Sequence, residues 1–263
     1  MSLPALTHWA NTRATLHQAA QVIGGVRAVT ADPEPNYTHL GLRVVSQGLT
    51  TGPLPFGGEL TLDFARLTIV CRQDKQDRQP AAEIALEGHH QQSLADAVDQ
   101  ALAALGKAIP PLDRKRITND TPLQADPKLA ANYAVLLSAL NDNLQQLHDR
   151  LPGEKSPVVV WPHGFDLSFL WFATETATEE APHLAFGFSP ASPGFERPYL
   201  YAYAYPLPPD LTSHPLPPLA YWHTAGWTGA VLPYDDLLPL IQPETVIKGT
   251  LSALYDLLAP LMG

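Results

Sequence analysis

Cysteine is almost missing. Cys71 is the single one in 263 residues, which excludes an internal disulfide and any multi-cysteine zinc site. No apolar run approaches the roughly 18 residues of a membrane-crossing helix. The start, MSLPALTHWANTR, lacks a basic stretch leading into an apolar one, so no secretory signal is expected. Basic charge is scarce too: 16 Lys and Arg stand against 26 Asp and Glu, a net charge of −10. Such a balance repels phosphate backbones and anionic membrane surfaces, so neither nucleic acid nor membrane is expected as a partner. The one dense basic cluster, Arg114-Lys115-Arg116, lies in a proline-bounded connector and reads as a solvated loop. Together these absences lead to the expectation of a cytoplasmic protein. The sequons at Asn36 and Asn119 are then chance matches.

Signatures of cofactor and nucleophile chemistry are also lacking. There is no Gly-x-Ser-x-Gly elbow, no Gly-x-Gly-x-x-Gly or P-loop, and no His-Glu-x-x-His. Ten histidines invite a metal, but His89-His90 lies in a polar loop. His163, His183 and His223 could converge only through tertiary structure, so neither metal nor cofactor is expected. Cys71 ends the apolar run Leu67-Thr68-Ile69-Val70 and reads as inert core.

What is present has clear periodicity. Leu6, Trp9, Leu16, Ala20 and Ile23 predict a first helix that Gly24-Gly25 stops. Strands are expected at 40–45, 59–64, 67–71 and 82–86, with turns at Gly48, Gly52-Pro53 and Gly57-Gly58. A second helix is expected from Ser93, with Asp96 completing a capping box, to Gly106. Residues 108–126 read as a connector. Asp126-Pro127 opens a third helix with the stripe Leu129, Tyr133, Leu136, Leu140, Leu144, Leu147 and Leu151. Strands follow at 157–161, 165–172, 184–188 and 199–205. Then come an extended proline-rich segment at 206–218, a strand near 230–232 and a broken helix at 235–241. A last helix from Glu244 turns Ile247, Leu251, Leu254, Leu258 and Leu261 inward.

The order helix, strands, helix thus occurs twice. Pro55-Phe56-Gly57-Gly58-Glu59-Leu60-Thr61-Leu62 also aligns with Pro162-His163-Gly164-Phe165-Asp166-Leu167-Ser168-Phe169. The expected fold class is α+β, with two pseudo-repeated halves of mainly antiparallel strands under amphipathic helices. The halves are 1–110 and 127–263, joined by 111–126 in one compact body.

The candidate site residues are largely aromatic. Tyr199, Tyr201, Tyr203 and Tyr205 recur at a spacing of two, so in a strand the phenols share one face while Leu200, Ala202 and Ala204 share the other. Four of the five tryptophans, Trp161, Trp171, Trp222 and Trp227, fall in the same half. Such a collection can build a ligand wall, a core or a contact surface. His163 stands beside Gly164, with Asp166 three residues on. A histidine near a carboxylate suits a general base, which makes His163, Asp166 and His223 the catalytic candidates. Thr50 and Thr51 read first as residues of a structured turn that bond nearby backbone, and otherwise as hydroxyls at a pocket mouth; Arg27 and Arg43 could hold an anion. The loop 187–194 reads as a rim or lid.

One ordered set of residues resembles a known family. It comprises Trp9 with Thr15-Leu16-His17, then Gly48-Leu49-Thr50-Thr51 with Pro53 and Pro55. Ser156-Pro157-Val158 with Phe165-Asp166-Leu167 follows, then Tyr201-Ala202-Tyr203-Ala204-Tyr205-Pro206 and Leu232-Pro233-Tyr234. The set resembles an uncharacterised bacterial family, domain of unknown function 5996, over nearly the whole chain. The chain departs from the pattern at Trp161-Pro162-His163, where an aromatic-Trp-Gly sequence is more usual, and in a shorter 173–184 loop. The resemblance implies a bacterial, cytoplasmic protein and carries over no activity, cofactor or catalytic residue.

The expected function is binding of a small, largely apolar or aromatic molecule in an aromatic-lined pocket, with room for chemistry. Its lining would come from Tyr201, Tyr203, Tyr205, Trp161, His163, Trp222, Thr50, Thr51, His17 and Arg27. One alternative is a structural or interaction module whose tyrosine face meets a partner or a second copy. Another is a hydrolase or metal-dependent enzyme using His163, Asp166 and His223.

Overall fold

The structure, a computed structural model, describes residues 3–73 and 79–262. It is an α+β protein with two antiparallel sheets. The chain forms two compact units. One comprises residues 6–138 with 160–165, and the other residues 1–5, 139–159 and 166–263.

The first unit contains α1 (Ala10–Thr30), then β1 (Arg43–Val45), β2 (Gly48–Thr50), β3 (Glu59–Asp63), β4 (Thr68–Arg72) and β5 (Ala82–Ala85), followed by α2 (Gln91–Ala104). The strands form an antiparallel meander in sequence order. Register puts Leu49, Leu62 and Ile69 in one row and Leu60 and Cys71 in the next, all at most 1% exposed. Each such side chain contributes roughly 1.5–3 kcal/mol by leaving water. α1 packs on β3 and α2, and α2 packs on β5.

Three expectations are corrected here. α1 does not stop at Gly24-Gly25. It continues to Thr30, burying Val26, because both glycines remain helical and the apolar period carries on past them. α2 starts two residues early, capped by His90 rather than Ser93. The Ser93 N–H donates to His90 Nδ1 and the His90 N–H donates to Ser93 Oγ. Gly48-Leu49-Thr50 is a strand, β2, rather than a turn.

α3 (Pro127–Arg150) begins as expected. Asp126 Oδ1 accepts the N–H of Lys128 at 2.8 Å and of Leu129 at 3.0 Å, a cap worth about 1 kcal/mol. The first half of α3 belongs to the first unit, where Tyr133 is fully buried between Trp9 and Phe64. Its second half belongs to the other unit. β6 (Val159–Trp161) is where the chain passes between the units.

The second unit adds β7 (Asp166–Phe172), β8 (His183–Ser189), β9 (Tyr199–Tyr205), β10 (Tyr221–His223), β11 (Gly229–Pro233) and α4 (Pro243–Leu258). Five strands of a six-stranded sheet lie within it, in the order β10-β11-β9-β8-β7. One face carries the rows Phe169, Phe186, Ala202, Ala230 and Leu167, Phe188, Leu200, Leu232, each at most 2% exposed. Helices cover this face. His148 of α3 meets Phe169 edge-on at 5.3 Å, and Tyr255 of α4 meets Trp171 at 5.2 Å. The alanines of β9 let α4 pack close behind that strand. The other face carries Ser168, Gly187, Tyr201, Val231 and Tyr221 in one row.

β10 was not expected, since Tyr221-Trp222-His223 is too short to show a period. The broken helix at 235–241 reduces to a single turn, Asp235–Leu237. Ile247, Leu251, Leu254 and Leu258 are buried as expected, but Met262 rather than Leu261 closes the end. The aligned segments 55–62 and 162–169 both run from a turn into an antiparallel strand, β3 and β7. The sheet orders differ, because β11 returns beside β9 and leaves β10 at the edge.

Candidate functional site

The tyrosines of β9 form an aromatic layer that lies down on its sheet. Tyr201 and Tyr203 stack at 6.2 Å with 10° between ring planes. A β-carbon on Gly187 would lie 2.5 Å from the Cζ and hydroxyl of Tyr201, so that ring is spread across a bare stretch of β8. Trp227 covers Gly229 in the same way, 2.5 Å from its β-carbon position. Trp227 also meets His223 at 4.9 Å, and Phe195 meets Tyr199 at 4.4 Å. Tyr199 is buried, with its hydroxyl 2.7 Å from Ser192 Oγ. Tyr205 at the open end is 48% exposed and stacks on His183 at 5.3 Å.

The Tyr201 hydroxyl donates to Asp166 Oδ2 at 2.8 Å. Burial, then the negative charge of Asp166, drives its pKa far above the ordinary phenol range. Tyr203 is raised for the same reasons. Both phenols therefore stay neutral, as donors rather than bases. Asp166 thus works as the acceptor of a half-buried phenol. His223 is held by Ala225 O at 2.7 Å from its Nε2.

Several expected ligand contacts are taken by backbone. Thr50 Oγ1 donates to Leu60 O at 3.0 Å and accepts the Gly52 N–H at 3.0 Å. Thr51 Oγ1 donates to Gly52 O at 2.8 Å and accepts the Leu60 N–H at 3.1 Å. Both threonines are buried, so their hydroxyls tie β2 to β3 rather than open at a pocket mouth. Trp222 pairs with Ala230, in the row opposite the tyrosines, and its indole N–H donates to His214 O at 2.8 Å. It does not join the tyrosine layer. Burial raises the Cys71 thiol to about 11, so it stays protonated and unreactive. Among the described residues, no group of three or more His, Cys, Asp or Glu side chains is placed to hold a metal ion.

A separate hollow lies along α1. Gly24, Gly25, Ala28 and Val29 form its floor, while Leu40, Ile117 and Pro162 form its apolar walls. Gln21, Asp113, Arg116 and His163 supply polar groups to the lining. Its volume is about 280 Å³, just below the roughly 300–1,000 Å³ usual for small-molecule sites. Two expected residues belong to this region. His163 lines the hollow with its side chain exposed, and its ring lies 6.1 Å from that of Trp161. His17 props the wall from behind. Its Nε2 lies 3.0 Å from Pro162 O and 3.2 Å from His163 O, and its ring stacks on Phe165 at 5.2 Å. The side-chain amide nitrogen of Gln21 lies 3.2 Å from the same Nε2. Burial, ahead of the other influences, lowers the His17 pKa, so the ring stays neutral. Gln21 is oriented by the amide of Gln91, which donates to its Oε1 at 2.6 Å.

Gly24, Gly25, Ala28 and Ile117 escaped the reading of the sequence. One signal was available: Val26 extends the apolar spacing of Leu16 and Ile23 past both glycines, which identifies them as helix interior rather than helix stop. Arg27 is 8% exposed and donates through Nη1 to Thr51 O.

Among the described residues no helix is long and apolar enough to cross a membrane. No curated protein and no solved structure matches the chain. The sequence model of a family of unknown function, DUF5996, matches residues 2–263, which is nearly every residue and includes the α1 hollow and the tyrosine layer alike; the chain belongs to that family.

Proposed function

We propose that this protein binds a small, largely apolar molecule in the hollow along α1. The observation that carries this reading is Gly25. A glycine inside a helix costs about 1 kcal/mol relative to alanine. Nothing crowds the position, since a β-carbon there would meet only Ile117 Cδ1, at 3.6 Å. Its φ is not in the left-handed region. Neither backbone geometry nor close packing accounts for glycine, whereas a clear floor under a ligand does. Gly25, Ala28 and Val29 would receive the apolar body. Gln21, Arg116 and His163 would meet one polar end.

A screen of small apolar compounds by chemical-shift perturbation tests the reading. The expected result is a binder whose shifts centre on Gly25, Ala28 and Ile117, with binding abolished in Gly25→Leu while that variant remains folded. A binder unaffected by Gly25→Leu, or a screen with no binder at these residues, overturns it.

A second reading, self-association through the tyrosine sheet, rests on a different observation. Tyr205, Leu207, Leu219 and Tyr221 are 43–54% exposed near the ends of β9 and β10. A mass by light scattering that stays monomeric up to high concentration would sink it.

A further inference from the structure

We propose that Arg27 and Arg43 form a binding site for a small oxyanion, a carboxylate or a phosphate, at the Thr51-Gly52 turn. Arg27 leaves the buried side of α1 and is more than nine-tenths buried. Of its five N–H donors, only those on Nη1 find a protein acceptor among the described residues, the carbonyl of Thr51. Its Nε has none, although it is sealed from solvent. No carboxylate forms an ion pair with it among the described residues.

A second guanidinium converges on the same turn. Cζ, Nε and Nη1 of Arg43 each lie 3.6 Å from where a β-carbon on Gly52 would sit. Gly52 has φ +65°, a left-handed conformation that glycine adopts without strain. The turn therefore presents one buried and one exposed guanidinium on neighbouring residues. Burial first, and then repulsion from Arg43, lowers the Arg27 pKa, while the charge of Glu34 opposes both. The Glu34 carboxylate is already engaged by the Thr38 hydroxyl at 2.8 Å.

Arginine is rarely buried without a partner, because a desolvated charge is costly unless paired and hydrogen-bonded. Two like charges at one turn raise that cost. An oxyanion at the turn offsets both costs: its charge balances the two guanidiniums, and it gives the exposed planar edge of Arg43 the acceptors that this edge matches geometrically. Thr51 and Gly52 hold the turn in place, since the Thr51 hydroxyl and N–H are bonded to β3. Neither Arg27 nor Arg43 lines the α1 hollow.

The test titrates the full chain with inorganic phosphate and, separately, with acetate, at ionic strength held constant with chloride. Melting temperature and calorimetric heat are recorded. At least one of the two oxyanions is expected to raise the melting temperature above the chloride control, and the stronger one identifies the class. Arg43→Ala, a change at an exposed position, should weaken that anion about tenfold or more while the protein stays folded. Gly25→Leu should leave the response intact, which separates this site from the apolar one. Arg27→Lys supplies a second arm, in which a point charge replaces the fork and the affinity falls. Equal melting temperatures in phosphate, acetate and chloride overturn the proposal, as does an anion response unchanged by Arg43→Ala.

Discussion

Pro162 occupies the space that a β-carbon on Gly24 would need: such a carbon would lie 2.5 Å from Pro162 Cγ and 2.7 Å from its Cβ. One residue further along α1, a β-carbon on Gly25 would make only an ordinary contact with Ile117. Adjacent glycines in one helix are therefore opposite in character. Gly24→Ala should lose stability, because about 1–3 kcal/mol of overpacking outweighs the gain in helix propensity. Gly25→Ala should gain up to about 1 kcal/mol. Urea denaturation midpoints of the two variants check this. Equal shifts of the same sign would contradict the close approach at Gly24.

The Tyr201–Gly187 contact predicts a similar intolerance in the other unit. A β-carbon at position 187 would strike the Tyr201 ring at 2.5 Å and Leu167 O at 2.8 Å. Gly187→Ala should cost about 1–3 kcal/mol. Tyr201→Phe leaves the ring in place but removes its hydrogen bond to Asp166, a loss of about 1.5–3 kcal/mol for a charged acceptor. If Tyr201→Phe proves neutral in chemical denaturation, that bond contributes nothing net to the fold.

How far the sequence revealed this structure can be judged from a few residues. Alternation in Glu59–Asp63 and in Tyr199–Tyr205 was legible, because period two survives whatever lies against the strand. The cap at Asp126 was legible because it is local. Gly24-Gly25 was misread as a stop because the same dipeptide serves a helix end or a helix interior. The local sign of an interior is the single residue Val26, and what requires glycine at position 24 is Pro162, more than a hundred residues away. Tyr201 was legible as one of a face of phenols. That it would lie flat on Gly187 depended on the β8–β9 register, which no local pattern encodes. For Thr50 and Thr51 the sequence indicates backbone-bonded hydroxyls but not the partner, because Leu60 lies on another strand that only the β2–β3 pairing brings alongside.

His17 predicts a dependence on mild acid. Burial lowers its pKa in the folded protein, so the unfolded chain binds its proton more readily. Its contribution to stability is therefore complete above the unfolded pKa of about 6.5 and is lost as pH falls below that value. The lowered carboxyl pKa values of Glu83, Asp149, Asp235 and Glu244 act in a separate window, beginning only below about pH 4–5. Denaturation midpoints measured from pH 8 to pH 5 should fall for the natural chain. In His17→Gln, which keeps a donor but cannot titrate, they should be flatter. A natural chain with no slope in this interval would contradict the burial of the His17 ring.

Cys71 predicts the opposite behaviour at alkaline pH. The folded thiol titrates near 11, raised by burial alone, whereas an unfolded thiol titrates near 8.5. Above about pH 8.5 the unfolded chain therefore sheds a proton that the folded chain keeps, and stability falls progressively toward pH 11. The phenols of Tyr201 and Tyr203, also raised, add to the decline only above about pH 10, so the interval from 8.5 to 10 reports on Cys71. In Cys71→Ala the slope there should flatten, even though the variant loses packing between Leu60 and Ala82, the residues that flank it in register. Because the side chain is 1% exposed, iodoacetamide should label it only through opening of the sheet. Its labelling rate should rise with urea in step with global unfolding. Labelling of the native protein at the rate of a free thiol would show that β4 is reached without unfolding.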